Sequence, residues 1–137
     1  MPPADAPTLR RYLASGPFHE FLGMELVGCD PERQEVTIRL PFRRGFGRLP
    51  DGDQIHGGVL SALIDIAGDF ALILVLGHGV PTINLRVDYL RPAAGDLTAT
   101  ARVVRAGRTV GVVDIELTDA AGRLIAVGRG CYGTAAG

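Results

Sequence analysis

The residues best equipped for chemistry are His56-Gly57-Gly58 and, eight positions beyond Gly57, Asp65. Two consecutive glycines opening a helix let the backbone approach a ligand. Their unpaired N–H groups then lie at the positive end of the helix dipole, where a developing oxyanion is held. The same glycines would also serve simply to fit a tight loop. Asp65 tips the balance, because a carboxylate flanked by Leu63, Ile64, Ile66 and Ala67 is costly to bury without a partner or a cleft. On one helix Gly57 and Asp65 stand about 12 Å apart at 1.5 Å per residue, too far for both to touch one reacting carbon. Two such helices, antiparallel about a two-fold axis, would bring Gly57 of one copy near Asp65 of the other, giving two equal sites. Ser61, Asp65 and Asp69 recur at i, i+4 and i+8 and share one stripe. If Asp65 and Asp69 both face the cleft, their like charges make one of them hold its proton more tightly. The alternative for Asp69 is a solvated or capped carboxylate.

Other chemistries fall away. There is no G-x-S-x-G, and Ser15 and Ser61 are the chain's only serines. His19-Glu20 lacks the second His of a zinc motif, and Gly45-Phe46-Gly47 runs into Pro50 without a strand before it and a helix after it. Cys29 and Cys131 lie too far apart for a C-x-x-C site and are expected to be reduced core thiols; no metal site is expected. Every one of the 14 basic residues is Arg, which excludes a Schiff-base lysine and leaves any phosphate or carboxylate to guanidinium groups. Against 15 acidic residues these give a net charge of −1, so no footprint for nucleic acid or an anionic membrane is visible.

The elements that must position these residues follow from periodicity. At 137 residues, 47% hydrophobic and 21% charged, the chain suits one domain over 8–137, after a flexible tail over 1–7. Leu9, Tyr12, Leu13, Phe18, Phe21 and Leu22 suggest a short amphipathic helix and turn. Met24 to Val27 and Glu35 to Leu40 read as strands around the turn Asp30-Pro31-Glu32-Arg33. A loop from Pro41 to Gln54 precedes a helix from Gly58 to Leu76 that has no proline and is apolar nearly all round, hence buried on most sides. Four strand-like stretches follow, Thr82 to Leu90, Leu97 to Val104, Val110 to Thr118 and Leu124 to Tyr132, joined mostly by hairpins. The fold class is α+β: a long central helix wrapped by a six-stranded antiparallel sheet, the arrangement called a hotdog. The outer face and edges of so small a sheet are natural places for a partner subunit.

The runs His56-Gly57-Gly58-Val59-Leu60-Ser61-Ala62-Leu63-Ile64-Asp65, Thr82 to Ala93 with its Tyr89-Leu90-Arg91-Pro92-Ala93 ending, Gly107-Arg108-Thr109 and Gly122 to Ala126 resemble the hotdog acyl-CoA thioesterases, in their PaaI-like branch. The resemblance covers about residues 20 to 135. It implies a homodimer or homotetramer that hydrolyses an acyl-CoA to a free acid and coenzyme A, with no cofactor beyond the coenzyme A of the substrate. It makes Asp65 the nucleophile or general base and the Gly57 N–H, beside Gly58, the donor to the thioester carbonyl. Thr82 becomes a helper near the attacking water, and His56 shapes the loop. The turn Arg105, Gly107, Arg108, Thr109 becomes the coenzyme A edge, with Arg86 and Arg91 as lesser candidates. Where relatives often carry Asn or Gln six residues before the histidine, this chain has Pro50; Asp51, Asp53 or Gln54 would have to substitute.

Two other readings share the fold. An acyl-thioester dehydratase or hydratase would need His56 as base beside a carboxylate, and a non-catalytic acyl-CoA sensor would need only the pocket. Phe70, Leu63, Phe18 and Phe21 are expected to line that pocket, suiting an aromatic or medium-chain acid. The N-terminus shows no basic region followed by an apolar stretch, and the longest apolar run, Phe70 to Gly77, is short of a bilayer span, so a cytoplasmic protein is expected.

Overall fold

The computed structural model describes residues 2–135; Met1 of the expected tail and 136–137 at the end of the expected domain lie outside them. The chain forms α1 (Ala6–Ser15), α2 (Pro17–Leu22), β1 (Glu25–Asp30), β2 (Glu35–Leu40), a single 3-10 turn (Arg44–Phe46), α3 (Gly57–Leu76), β3 (Thr82–Tyr89), β4 (Leu97–Ala106), β5 (Val110–Asp119) and β6 (Leu124–Gly133). α1 begins inside the stretch expected as a tail. The Asp5 carboxylate caps it by accepting from the Thr8 N–H at 2.9 Å, and the Ala4 N–H reaches the Leu74 carbonyl of α3. Leu9 and Leu13, one turn apart, then bury their side chains in the core.

The six strands form one antiparallel sheet in the order β1-β2-β4-β5-β6-β3. β4, β5 and β6 are successive hairpins, as their turn sequences predict. β3 is not part of that meander: it pairs only with β6 and forms the edge, so the segment after it must carry the chain back beside β2. Period-2 alternation puts Val36, Ile38 and Leu40, then Leu97, Ala99 and Ala101, then Val113, Ile115 and Leu117 on the face that covers α3. The small side chains of Ala99 and Ala101 let α3 lie close on β4.

α3 is 20 residues long and, by length and composition alone, apolar enough to cross a membrane, although Ser61, Asp65 and Asp69 interrupt it and its longest unbroken apolar run is the expected Phe70 to Gly77. Its apolar sides are covered instead by the sheet and by α1, and Leu63, Ile64, Ala67, Phe70, Ala71 and Leu72 are all but inaccessible. The helix ends at Gly77, whose left-handed conformation (φ 82°) lets its N–H return to the Ile73 carbonyl. Cys29 and Cys131 are free thiols, as expected, but half-buried rather than deep in the core.

Candidate active site

The loop before α3 is fixed before the helix begins. The Arg48 N–H bonds the Gln54 carbonyl, the Ile55 N–H bonds the Ala93 carbonyl and the His56 N–H bonds the Phe46 carbonyl, each at 2.8 Å. His56 is thereby held in extended backbone (φ −62°, ψ 136°) as the N-cap, and its Nδ1 accepts from the Gly58 N–H at 2.8 Å. That bond requires the ring's proton on Nε2. Of the two glycine amides the Gly58 N–H is therefore committed to His56. The Gly57 N–H has no partner among the described residues and stands at the positive end of the helix dipole.

The Tyr89 hydroxyl, from the end of β3, donates to the Gly57 carbonyl at 3.2 Å and is in hydrogen-bond contact with the Ser61 hydroxyl. Its ring lies against Gly57 so closely that a Cβ there would stand 3.3 Å from the ring. The Gly57–Gly58 peptide is thus held on both sides, its carbonyl by Tyr89 and its N–H by His56. The sequence places Tyr89 only within a strand motif, because the pairing that brings it to the helix start is not a local feature.

Two turns along α3, Asp65 is half-buried, and its Oδ1 accepts from the Thr82 hydroxyl at 2.7 Å. Tyr132, fully buried on β6, donates its hydroxyl to the Asp65 main-chain carbonyl at 3.0 Å and ties this turn of the helix to the sheet. Burial pushes the Tyr132 phenol far above its ordinary value, so it remains a donor. Sequence reasoning missed Tyr132 too. The available signal was glycine at 68, in mid-helix where glycine is unfavourable. A Cβ there would stand 2.1 Å from the Tyr132 oxygen.

Asp69 does not join Asp65 in a bare cleft. Its Oδ1 accepts from the Val80 N–H at 3.2 Å, so successive stripe carboxylates are each bound by the segment leading into β3. Burial is the main cause that raises the Asp69 carboxyl to about 6; the Val80 N–H opposes it, and the charge of Asp65 adds to it. The expected like-charge effect is present, but it is the smaller cause.

Pro50 sits at the exposed tip of a turn closed by the Gly52 N–H on the Leu49 carbonyl, with Gly47 and Ile55 paired at its base. Asp51 and Asp53 are exposed on this turn, while Gln54 lines a cleft of about 350 Å³ with Gly57 and Tyr89. A second, mainly apolar cleft of about 320 Å³ lies beside Gly58 and Ala62 and is walled by Phe18, Phe21 and Phe46. Leu63, expected to line a pocket, is instead buried in the core at 0% exposure, while Phe70, 1% exposed, packs edge-on against the His19 ring of α2 and borders a separate cleft with Tyr12, Ser15 and Asp69 rather than the two at the start of α3.

The structure therefore brings His56, Gly57, Gly58 and Gln54 together at one end of α3, and Asp65 with Thr82 at its middle. Arg105, Gly107, Arg108 and Thr109 are not near Gly57. Their turn is closed by the Gly107 N–H on the Val110 carbonyl and by Thr134, and the adjoining Gly111 packs on Leu72, about 22 Å along the helix axis from Gly57. Among the described residues no three His, Cys, Asp or Glu side chains come together to hold a metal ion.

Known proteins resemble this chain in sequence and in fold. A model of the thioesterase superfamily matches residues 53–126, from the loop before α3 into β6. The Halobacterium salinarum protein VNG_1336C is 37% identical over 93% of this chain and 90% of its own length. The medium/long-chain acyl-CoA thioesterase YigI of Escherichia coli is 34% identical over 74% of each chain. Among solved structures, the E. coli PaaI protein from the phenylacetic acid degradation operon superposes with a TM-score of 0.81 at 26% identity, covering 93% of this chain and 90% of that one. A six-stranded antiparallel sheet around one long helix, a free amide at that helix's start and these relatives lead to one assignment: the chain belongs to the thioesterase superfamily, with the hotdog fold, and is a hydrolase of thioesters.

Proposed function

We propose that the protein hydrolyses acyl-CoA thioesters at a site shared between two copies of the chain. The Gly57 N–H of one copy binds the thioester carbonyl oxygen, and Asp65 of the other activates water. The observation that carries this reading is the contrast between the two glycine amides: one is spent on His56 and the other is free at the helix start.

With Oδ1 of Asp65 held by Thr82, Oδ2 is the oxygen available to take a proton from water. The water oxygen bonds to the carbonyl carbon as that proton moves to the carboxylate. The carbonyl electron pair shifts to the oxygen under the Gly57 N–H, then returns as the carbon–sulfur bond breaks. The thiolate of coenzyme A leaves and takes up a proton, and the other product is the free acid. Direct attack by Asp65 through an anhydride gives the same products. His56 is ill placed to be the base of a dehydratase, since its Nδ1 already accepts from Gly58.

The exposed strand β3 at the sheet edge supports pairing with a second copy. In an antiparallel pairing that sets Gly57 opposite Asp65, the second copy's residue 72 falls opposite the loop before α3. This reading therefore has Arg105, Gly107, Arg108 and Thr109 contribute to the coenzyme A edge of the neighbouring chain's site. Asp65→Asn keeps the shape and removes the base, so turnover of a panel of acyl-CoAs should fall by roughly 10²–10⁴ while thermal unfolding stays close to wild type. Unchanged turnover in the folded variant would move the chemistry away from Asp65.

A further inference from the structure

The arginines that line clefts differ in what they already bind. Arg102 is paired with Glu35 at 2.7 Å, Arg129 with Asp114 at 2.6 Å and Arg86 with Asp88 at 3.3 Å, while Arg43 lies over the rings of Phe21 and Phe46. Arg48 and Arg91 are different. They stand in the cleft that contains Gly57, neither has a carboxylate or hydrogen-bond partner for its guanidinium among the described residues, and no Asp or Glu lines that cleft. Their main chains are nevertheless fixed, Arg48 by the Gln54 carbonyl and Arg91 by the Ile125 carbonyl. Two forked donors lining one open cleft, with no carboxylate there to neutralise them, suit an anionic oxygen group. The two clefts at the start of α3 are also unlike: the one beside Gly58 is walled by phenylalanines whose rings engage its single arginine, Arg43, and the one at Gly57 carries two arginines with no such partner.

We propose that Arg48 and Arg91 form an anion subsite that holds a phosphate or carboxylate group of the thioester substrate while its carbonyl sits at Gly57. The subsite deepens the reading given under Proposed function and rests on it for the position of the carbonyl. The amphipathic pair of clefts matches a substrate with one apolar end and one anionic end, which is the description of an acyl-CoA. A carboxylate at the far end of the acyl group presents the same oxygen chemistry to the same forks.

The test compares wild type with the double variant Arg48→Gln/Arg91→Gln on three thioesters: hexanoyl-CoA, hexanoyl-pantetheine and adipoyl-pantetheine. Both arginines are exposed, so the double variant should unfold at nearly the wild-type temperature. The expected result is a KM at least about tenfold higher for an anionic substrate, with kcat within about twofold and hexanoyl-pantetheine unaffected. A loss confined to hexanoyl-CoA identifies the carrier's phosphates as the anion, and a loss confined to adipoyl-pantetheine identifies the acyl carboxylate. Unchanged KM values for all three, or an equal rise for all three, overturn the subsite. Calorimetric titration of the same three compounds into Asp65→Asn protein, with and without the two Arg substitutions, reads binding without turnover. Failure of the Asp65 chemistry and failure of the anion subsite therefore give separate results.

Discussion

Asp69 is a carboxylate whose protonation the fold itself alters, and that makes it measurable. Its folded value of about 6 lies above the ordinary 3.8, chiefly because burial disfavours the charged form. Between those two values the folded chain holds a proton that the unfolded chain has released. The stability associated with neutral Asp69 is therefore complete below about pH 4 and is lost as pH rises through 6. Asp69→Asn lacks this loss. Its unfolding free energy should gain on wild type across that window by up to about 3 kcal/mol and stay level above it, in denaturant titrations run at successive pH values. A gap that does not change with pH would mean that the carboxyl is solvated in the folded state. At this scale the sequence told most about residues whose oddity is local. A glycine pair before an apolar helix and a carboxylate inside one stand out by position alone. Tyr89 and Tyr132 do not, because they reach Gly57 and the Asp65 carbonyl only through strand pairings with partners far along the chain.

At the scale of elements, the site depends on how tightly α3 lies against β6. Glycine within a helix costs about 1 kcal/mol relative to alanine, so Gly68→Ala would ordinarily stabilise. Here the added methyl meets the Tyr132 oxygen and, at 3.2 Å, Ile115. The Tyr132 ring also lies against Gly130, where a Cβ would overlap it. Overpacking of this kind costs about 1–3 kcal/mol, so thermal unfolding of Gly68→Ala should come several degrees earlier than wild type. Tyr132→Phe combined with Gly68→Ala should cost less than the sum of the two single changes, since removing the hydroxyl removes the atom in conflict. Additive losses would show that the clash lies elsewhere. The helix and the alternating strands were legible because their periods are written in consecutive residues. The place of β3 at the edge was not, because strand order is set by which pairings close the sheet around α3 rather than by the strand's own pattern. The N-terminal segment was under-read for a related reason: three prolines suggest a tail, whereas Asp5 as a cap and Pro7 in the first turn start a helix.

At the scale of the whole molecule, the sheet's two sides and its edge have different chemistry. Across the outer face Glu35, Arg102, Asp114 and Arg129 stand in register on successive strands, paired in alternating charge, as a solvated surface would be. The edge strand β3 is unlike it, with Ile83 and Tyr89 more than half exposed, and it ends at the Gly57 carbonyl. The account therefore expects a second copy at that edge, with sedimentation showing a dimer or a multiple of one. Its central claim is that a working site takes Gly57 from one chain and Asp65 from the other. Gly57→Pro removes the amide at the first helical position, where proline is favoured; the extended backbone of His56 already suits a residue before proline, and the added Cβ, 3.3 Å from the Tyr89 ring, requires that ring to shift by a few tenths of an ångström. Mixing Gly57→Pro chains with Asp65→Asn chains, each inactive alone, makes heterodimers in which one of two sites is complete. After random exchange, acyl-CoA hydrolysis should return to about a quarter of the wild-type rate. Activity that stays at the level of the separate variants, with subunit exchange demonstrated in the same sample, would contradict a site built from two chains.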